Sequence, residues 1–81
     1  MYETDIEIEF REPLREILEE YFSKCDQLNI DPLASAIMLN KEVLRYILDE
    51  YNIEWYIYCG ALQLMCSEPD VRAMISKRRI N

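Results

Sequence analysis

The apolar residues after the first eleven positions recur at the spacing of an α-helix. Between residues 12 and 28 they follow one another three, one, three, one, three and three positions apart: Leu14, Ile17, Leu18, Tyr21, Phe22, Cys25 and Leu28. This spacing places them on one broad stripe of a helix of about four turns. Pro13 suits the first turn, where its missing N–H costs no hydrogen bond. The sequence therefore predicts a helix over residues 12–28.

Two further helices are predicted after this one. Asp31 suits the N-cap of a short helix that begins at Pro32, because a capping carboxylate accepts hydrogen bonds from the first free N–H groups. Asn40 suits the N-cap of another helix, from Lys41 to about Tyr51. Asn52 marks a break after it. The sequence thus predicts a polar hinge between two helices in this region.

The remainder of the chain predicts two more helices. Residues 53–66 are apolar on nearly all sides and contain no turn signal, which favours a helix in the centre of the domain. A strand over residues 53–58 is the rival interpretation, because Ile53, Trp55 and Ile57 alternate with polar or tyrosine positions. Ser67-Glu68-Pro69-Asp70 is typical of a capping box with Asp in place of Glu or Gln, and predicts a final helix.

Residues 2–10 alternate strictly between apolar or neutral and acidic side chains. Such a period of two is typical of a strand. We therefore predict an acidic extended or β arm over residues 1–11, followed by a single helical domain over residues 12–81. The expected fold class is all-α: a compact bundle of about five short helices, helix-turn-helix-like, preceded by that arm.

Composition excludes several classes of function. The chain has 81 residues, no histidine and one glycine, so it lacks a Ser-His or Cys-His nucleophile pair and a glycine-rich phosphate loop. We therefore expect no enzyme, no catalytic residue and no cofactor. No CxxC pair accompanies the three cysteines, so no metal site is expected.

Two further features bear on where the protein acts. The longest apolar run, residues 55–59, is far below the roughly 20 residues of a membrane span, so no membrane contact is expected. The chain opens with Met-Tyr-Glu-Thr-Asp rather than with the layout of a signal peptide, and its cysteine count is odd. Together these features predict a cytoplasmic protein.

Residues 33–48 resemble the helix-turn-helix of phage-repressor-like (lambda-repressor-like) DNA-binding domains. The matching positions are Leu33-Ala34, Ile37, Leu39, Asn40, Val43-Leu44 and Ile47, whereas Met38 stands where the family has glycine in the turn. The resemblance implies a DNA-binding transcriptional regulator as the alternative function. The candidate DNA-binding residues are Lys41, Arg45 and Tyr46.

Charge favours a protein partner over nucleic acid. The net charge is −7, and residues 1–20 alone hold eight acids and two bases. Because such a chain repels phosphate, nucleic-acid binding is possible but disfavoured. We therefore predict an acidic regulator or inhibitor that binds a protein with a basic surface, in one version by mimicking nucleic-acid charge. A single strand has an unpaired edge, and the chain has more aromatic residues than so small a core can bury. Because both need cover, they also predict a homodimer.

The candidate protein-interaction residues are acidic side chains near the N-terminus and aromatic side chains near residue 56. They are Glu3, Asp5, Glu7, Glu9, Glu16, Glu20, Trp55, Tyr56 and Tyr58.

Overall fold

A computed structural model describes residues 4–78, which form four α-helices and no strand. The helices are α1 (Asp5–Gln27), α2 (Pro32–Tyr51), α3 (Trp55–Met65) and α4 (Pro69–Arg78). The predicted all-helical, bundle-like class is confirmed. The structure has four helices in this range rather than about five, because the two helices predicted on either side of Asn40 are one.

The first helix begins at Asp5, so the predicted extended arm is wrong for the described residues. Thr4 caps the helix: the Glu7 N–H donates to the Thr4 side-chain oxygen at 3.1 Å, and the Thr4 N–H donates to the Glu7 carboxylate at 2.8 Å. This reciprocal capping box satisfies two N–H groups that would otherwise lack partners. Residues 1–3 of the predicted arm lie outside the described part of the chain.

Pro13 lies inside α1 rather than in its first turn. A proline in a helix interior removes one backbone hydrogen bond, and its ring crowds the carbonyl four residues earlier, at a cost of about 3 kcal/mol. The early start of α1 therefore requires stabilisation from another source. The capping box at Thr4 supplies only about 1 kcal/mol of it.

The packed centre of the fold is the joint between α1 and α2. Cys25 of α1 is 6% exposed and Ser35 of α2 is fully buried. The Tyr21 hydroxyl donates a hydrogen bond to the Ser35 carbonyl at 2.7 Å, and the Ser35 hydroxyl donates to the Asp31 carbonyl at 3.0 Å. Since Cys25 is buried, it acts as the small apolar residue that its position on the helical stripe predicts.

The turn between α1 and α2 follows from its residues. Asn29 adopts a left-handed conformation with φ of 59°, and the N–H of Ile30 donates to the Cys25 carbonyl at 2.9 Å. This pattern is a Schellman motif, in which asparagine substitutes for the usual glycine. The Asp31 carboxylate then accepts from the N–H groups of Leu33 and Ala34 at 2.9 and 3.3 Å, so the predicted cap is confirmed.

The second helix runs without interruption through the predicted hinge. Asn40 does not cap a new helix, because its side-chain amide donates to the Ala36 carbonyl at 2.9 Å from within α2. Met38 remains helical, in keeping with the cost of a left-handed conformation for a residue with a side chain. The turn predicted at this point is wrong, and residues 33–48 form one helix rather than two.

The helices after α2 agree with the favoured predictions. Asn52 takes the left-handed conformation that ends α2, with φ of 59°. Trp55–Met65 is helical, so the rival strand over residues 53–58 is wrong. The last helix is present but begins at Pro69, so Glu68 rather than Ser67 precedes it, and the capping box predicted from Ser67 to Asp70 is wrong in its register. None of the described helices is long and apolar enough to span a membrane.

The helices of this bundle are packed openly. Its radius of gyration is 14.7 Å, whereas a compact domain of 81 residues has one of about 12 Å. The main contacts join α1 to α2 and α2 to α3. Few described residues are buried, so much of the apolar surface of the four helices faces outward.

Candidate functional site

One side of α1 carries a row of carboxylates that we call the acidic face. Its members follow one another at spacings of four, three, four and four residues: Asp5, Glu9, Glu12, Glu16 and Glu20. Residues three and four apart are neighbours on a helix, so these carboxylates form one continuous row. Four of the predicted interaction residues, Asp5, Glu9, Glu16 and Glu20, thus lie together.

Two predicted acidic residues do not belong to this face. The Glu7 side chain is engaged in the capping box with Thr4 and lies on the other side of the helix. Glu3 lies outside the described residues. Glu12, which the sequence also places in the predicted acidic surface near the N-terminus, does belong to the row. Its spacing of three and four from Glu9 and Glu16 is the signal that identifies it.

Glu20, at the end of the acidic face, has an exposed cationic partner in α1. The Lys24 ammonium lies 3.6 Å from the Glu20 carboxylate, and both side chains are more than 70% exposed. Exposed pairs of this kind contribute between about 0 and 1 kcal/mol. Like charges at i,i+4 destabilise a helix by about 0.2–0.5 kcal/mol for each pair. The row therefore costs α1 stability and presents a negative potential to solvent.

The opposite side of α1 carries an uncovered apolar stripe that we call the apolar face. Its members are Ile6, Phe10, Leu14, Ile17 and Leu18. They are between 40% and 70% exposed, and every residue from Thr4 to Glu20 is exposed. The first residue of α1 that contacts another helix closely enough to be partly buried is Tyr21. The first four turns of α1 thus extend away from the packed joint.

The two borders of the apolar face differ in charge. On one side, Arg11 and Arg15 line a shallow depression together with Glu7, Leu14 and Leu18. Arg15 also lies 3.5 Å from Glu19. The acidic face forms the border on the other side of the apolar face. The apolar face therefore separates a border of mixed charge, where two arginines lie with Glu7 and Glu19, from a purely anionic one.

Two pairs of aromatic rings flank the turn between α2 and α3. The rings of Trp55 and Tyr56 are 5.9 Å apart at 88°, and those of Tyr46 and Tyr51 are 5.8 Å apart at 65°. All four side chains are more than half exposed. Tyr58, the third predicted aromatic anchor, is half-buried. We call these four exposed rings the aromatic patch.

The main helix contacts do not join the aromatic patch to the acidic face. The patch flanks the junction of α2 and α3, whereas the acidic face lies on α1, and the main contacts join α1 to α2 and α2 to α3. The two candidate surfaces are therefore separate features of the molecule. Each needs its own test.

The alternative DNA-binding residues do not form one cationic surface. Lys41 and Arg45 line a shallow depression on α2 with two leucines. The Arg45 guanidinium is paired with the Glu42 carboxylate, and Tyr46 packs against Tyr51 on a different side of the helix. The cationic contribution of this surface is therefore partly neutralised within α2.

The cysteines and carboxylates show no arrangement for metal chemistry in the described range. No group of three or more potential ligands there could hold a metal ion. All three cysteines are free thiols, with Cys25 buried and Cys59 and Cys66 exposed.

Comparison with known proteins gives no relationship. No family model, no curated protein and no solved structure matches the chain.

Proposed function

We propose that this chain is a small acidic interaction protein that regulates or inhibits a protein partner with a basic surface. The observation that carries the proposal is the acidic face, a row of five carboxylates on one side of α1. Because neighbouring like charges destabilise a helix, such a row is a cost to the free chain. A cationic partner surface would convert that repulsion into attraction and would speed association.

The acidic face suits an elongated basic groove. Its carboxylates recur every three or four residues, which corresponds to about 4.5–6 Å along the helix axis. A nucleic-acid strand in a duplex presents one phosphate about every 3.4 Å. The row is therefore a sparser version of a phosphate strand, and it supports the version of the proposal in which the chain occupies the groove of a protein that handles DNA or RNA.

The aromatic patch supplies candidate anchors for the same function. Trp55 and Tyr56 are 62% and 57% exposed. Tryptophan and tyrosine are enriched among the residues that dominate binding energy at protein interfaces. Their exposure in the free chain supports a role in binding rather than in the core. The free thiols suit a reducing compartment, and a cytoplasmic location is part of the proposal.

A homodimer is the second part of the proposal. The uncovered apolar face of α1 supports it. The strand edge that also predicted a homodimer is helical in the described residues, so it no longer supports one. A DNA-binding regulator has less support. Its Arg45 is paired within α2, and a net charge of −7 opposes binding to phosphates.

Charge reversal on the acidic face tests the proposal. Glu9→Lys/Glu16→Lys is compared with Asp49→Lys/Glu50→Lys, which changes the net charge equally on α2 and serves as the matched control. Proteins captured from the native host by the unmodified chain are identified, and each variant is titrated against the captured protein. We expect a partner with a basic surface, at least about tenfold weaker binding for the α1 variant, and near-normal binding for the control.

The opposite result would contradict the proposal. If both variants bind the partner as tightly as the unmodified chain, or if the captured partner has no basic surface, the acidic face is not the recognition element.

A further inference from the structure

The first four turns of α1 lack the means to stand alone in water. Even helices of good helix formers are marginal in water near about 12–15 residues, and this segment is of similar length. Residues 5–20 carry an internal Pro13 and the repelling acidic face, and every one of them is exposed. A helix with these costs is stabilised in proteins by packing of its apolar face. The apolar face of α1 therefore requires a cover.

The exposed area of the molecule shows how much surface its four helices leave uncovered. The chain exposes 7482 Å², whereas a folded monomer of 9.8 kDa exposes about 5,200 Å². A standard stable interface buries about 800 Å² for each partner, and obligate homodimers bury more. The excess is thus larger than a stable dimer interface requires.

We propose that a second copy of this chain covers the apolar face, with the two α1 helices packed side by side and parallel. This inference rests on the homodimer of the proposed function and deepens it by naming the surface and the orientation. The interface is self-complementary, as a two-fold dimer requires, because the same apolar residues of both copies meet.

The charges that border the apolar face select the parallel orientation. When two helices pack in parallel about a two-fold axis that runs between them, the left border of one helix faces the right border of the other. The mixed border of each copy, which includes Arg11 and Arg15, then lies on the side of the acidic residues Glu9 and Glu16 of its partner. In an antiparallel pair, each border faces the same border of the other copy. The acidic faces of the two copies would then lie side by side and repel each other.

Short-range cross-linking tests the pairing in the full chain. The exposed cysteines are first replaced, in Cys59→Ser/Cys66→Ser, and Ile6→Cys or Ile17→Cys is added to that background. These two positions are 11 residues apart, about 16 Å along the helix. We expect a short bifunctional maleimide to link each single variant to its own copy. Ser23→Cys, on the polar side of α1, is the matched control and should give no dimer.

The results separate failure of the pairing from failure of the homodimer. An antiparallel dimer would give a cross-link only when Ile6→Cys and Ile17→Cys chains are mixed, which would overturn the orientation. A dimer by sedimentation without any cross-link through α1 would overturn the pairing and leave the homodimer standing. A monomer at high concentration would overturn both, while the charge-reversal test of the acidic face would be unaffected.

Discussion

Tyr21 and Cys25 are four residues apart on α1, where that helix meets α2. The Tyr21 hydroxyl donates to the Ser35 carbonyl, and Ser35 is fully buried in the crossing. A small residue at this position lets the two helices approach closely, while the hydrogen bond fixes their relative orientation. At the scale of single residues, this joint is the best defined packing in the molecule.

The joint makes stability depend on pH at the alkaline end. Burial raises the pKa of Tyr21 above its ordinary value of 10.0, and a hydrogen bond and a charge interaction with Cys25 act in the same direction. Because the folded pKa lies above the unfolded one, this contribution to stability is fully present below pH 10 and is lost as the pH rises through the folded pKa. A phenolate could also no longer donate to the Ser35 carbonyl.

We therefore expect the urea midpoint of the unmodified chain to decrease as the pH rises above 10. In Tyr21→Phe the midpoint should decrease less over the same pH range. Tyr51→Phe, which alters an exposed ring, is the matched control and should retain the full decrease. If the urea midpoints of the two variants fall equally as the pH rises above 10, Tyr21 does not couple the stability of the joint to pH.

At the scale of helices, α1 and α2 show what the sequence could and could not predict. Ile6, Ile8 and Phe10 satisfy a period of two, yet Ile6 and Phe10 also continue the helical spacing of Leu14 and Ile17. Alternation over so short a stretch fits both structures. Thr4 and Glu7 carry the signal that decides between them, because S/T-x-x-E is the pattern of a capping box.

The continuity of α2 could not be derived from local residue preferences. Asn40 is a good N-cap, but its side chain instead returns to the Ala36 carbonyl from within the helix. Asparagine makes both kinds of hydrogen bond with its neighbours, so its identity alone does not fix a helix boundary. Asp31 differs because Pro32 follows it, and the two together specify a helix start.

Replacing Pro13 tests the position of the start of α1. If α1 begins at Asp5, Pro13→Ala restores a backbone hydrogen bond in the helix interior and should stabilise the protein by up to about 3 kcal/mol. Pro32→Ala is the matched control, because Pro32 occupies the first position of α2, where proline costs little. Urea unfolding at equal chain concentration measures both variants.

The opposite outcome has a definite meaning. If Pro13→Ala is as neutral as Pro32→Ala, then Pro13 occupies a first turn, and the helical residues before it do not belong to α1.

At the scale of the whole molecule, the candidate site was only partly readable from the sequence. The acidic residues and the exposure of Trp55 and Tyr56 follow from composition and local spacing. The division of α1 into an acidic face and an apolar face was predicted only from residue 12 onward, because the earlier part appears only once the helix is known to begin at Asp5. Which apolar surface stays uncovered depends on long-range packing, and a single sequence does not encode that in any local pattern.

Amide hydrogen exchange in α1, measured as a function of protein concentration, tests most directly whether another polypeptide chain completes this helix. We expect slow exchange for residues 9–20 at high concentration and fast exchange on dilution, while amides at the joint near Cys25 change less. Fast exchange of residues 9–20 at every concentration, or slow exchange that dilution to a monomer leaves unchanged, would contradict this expectation.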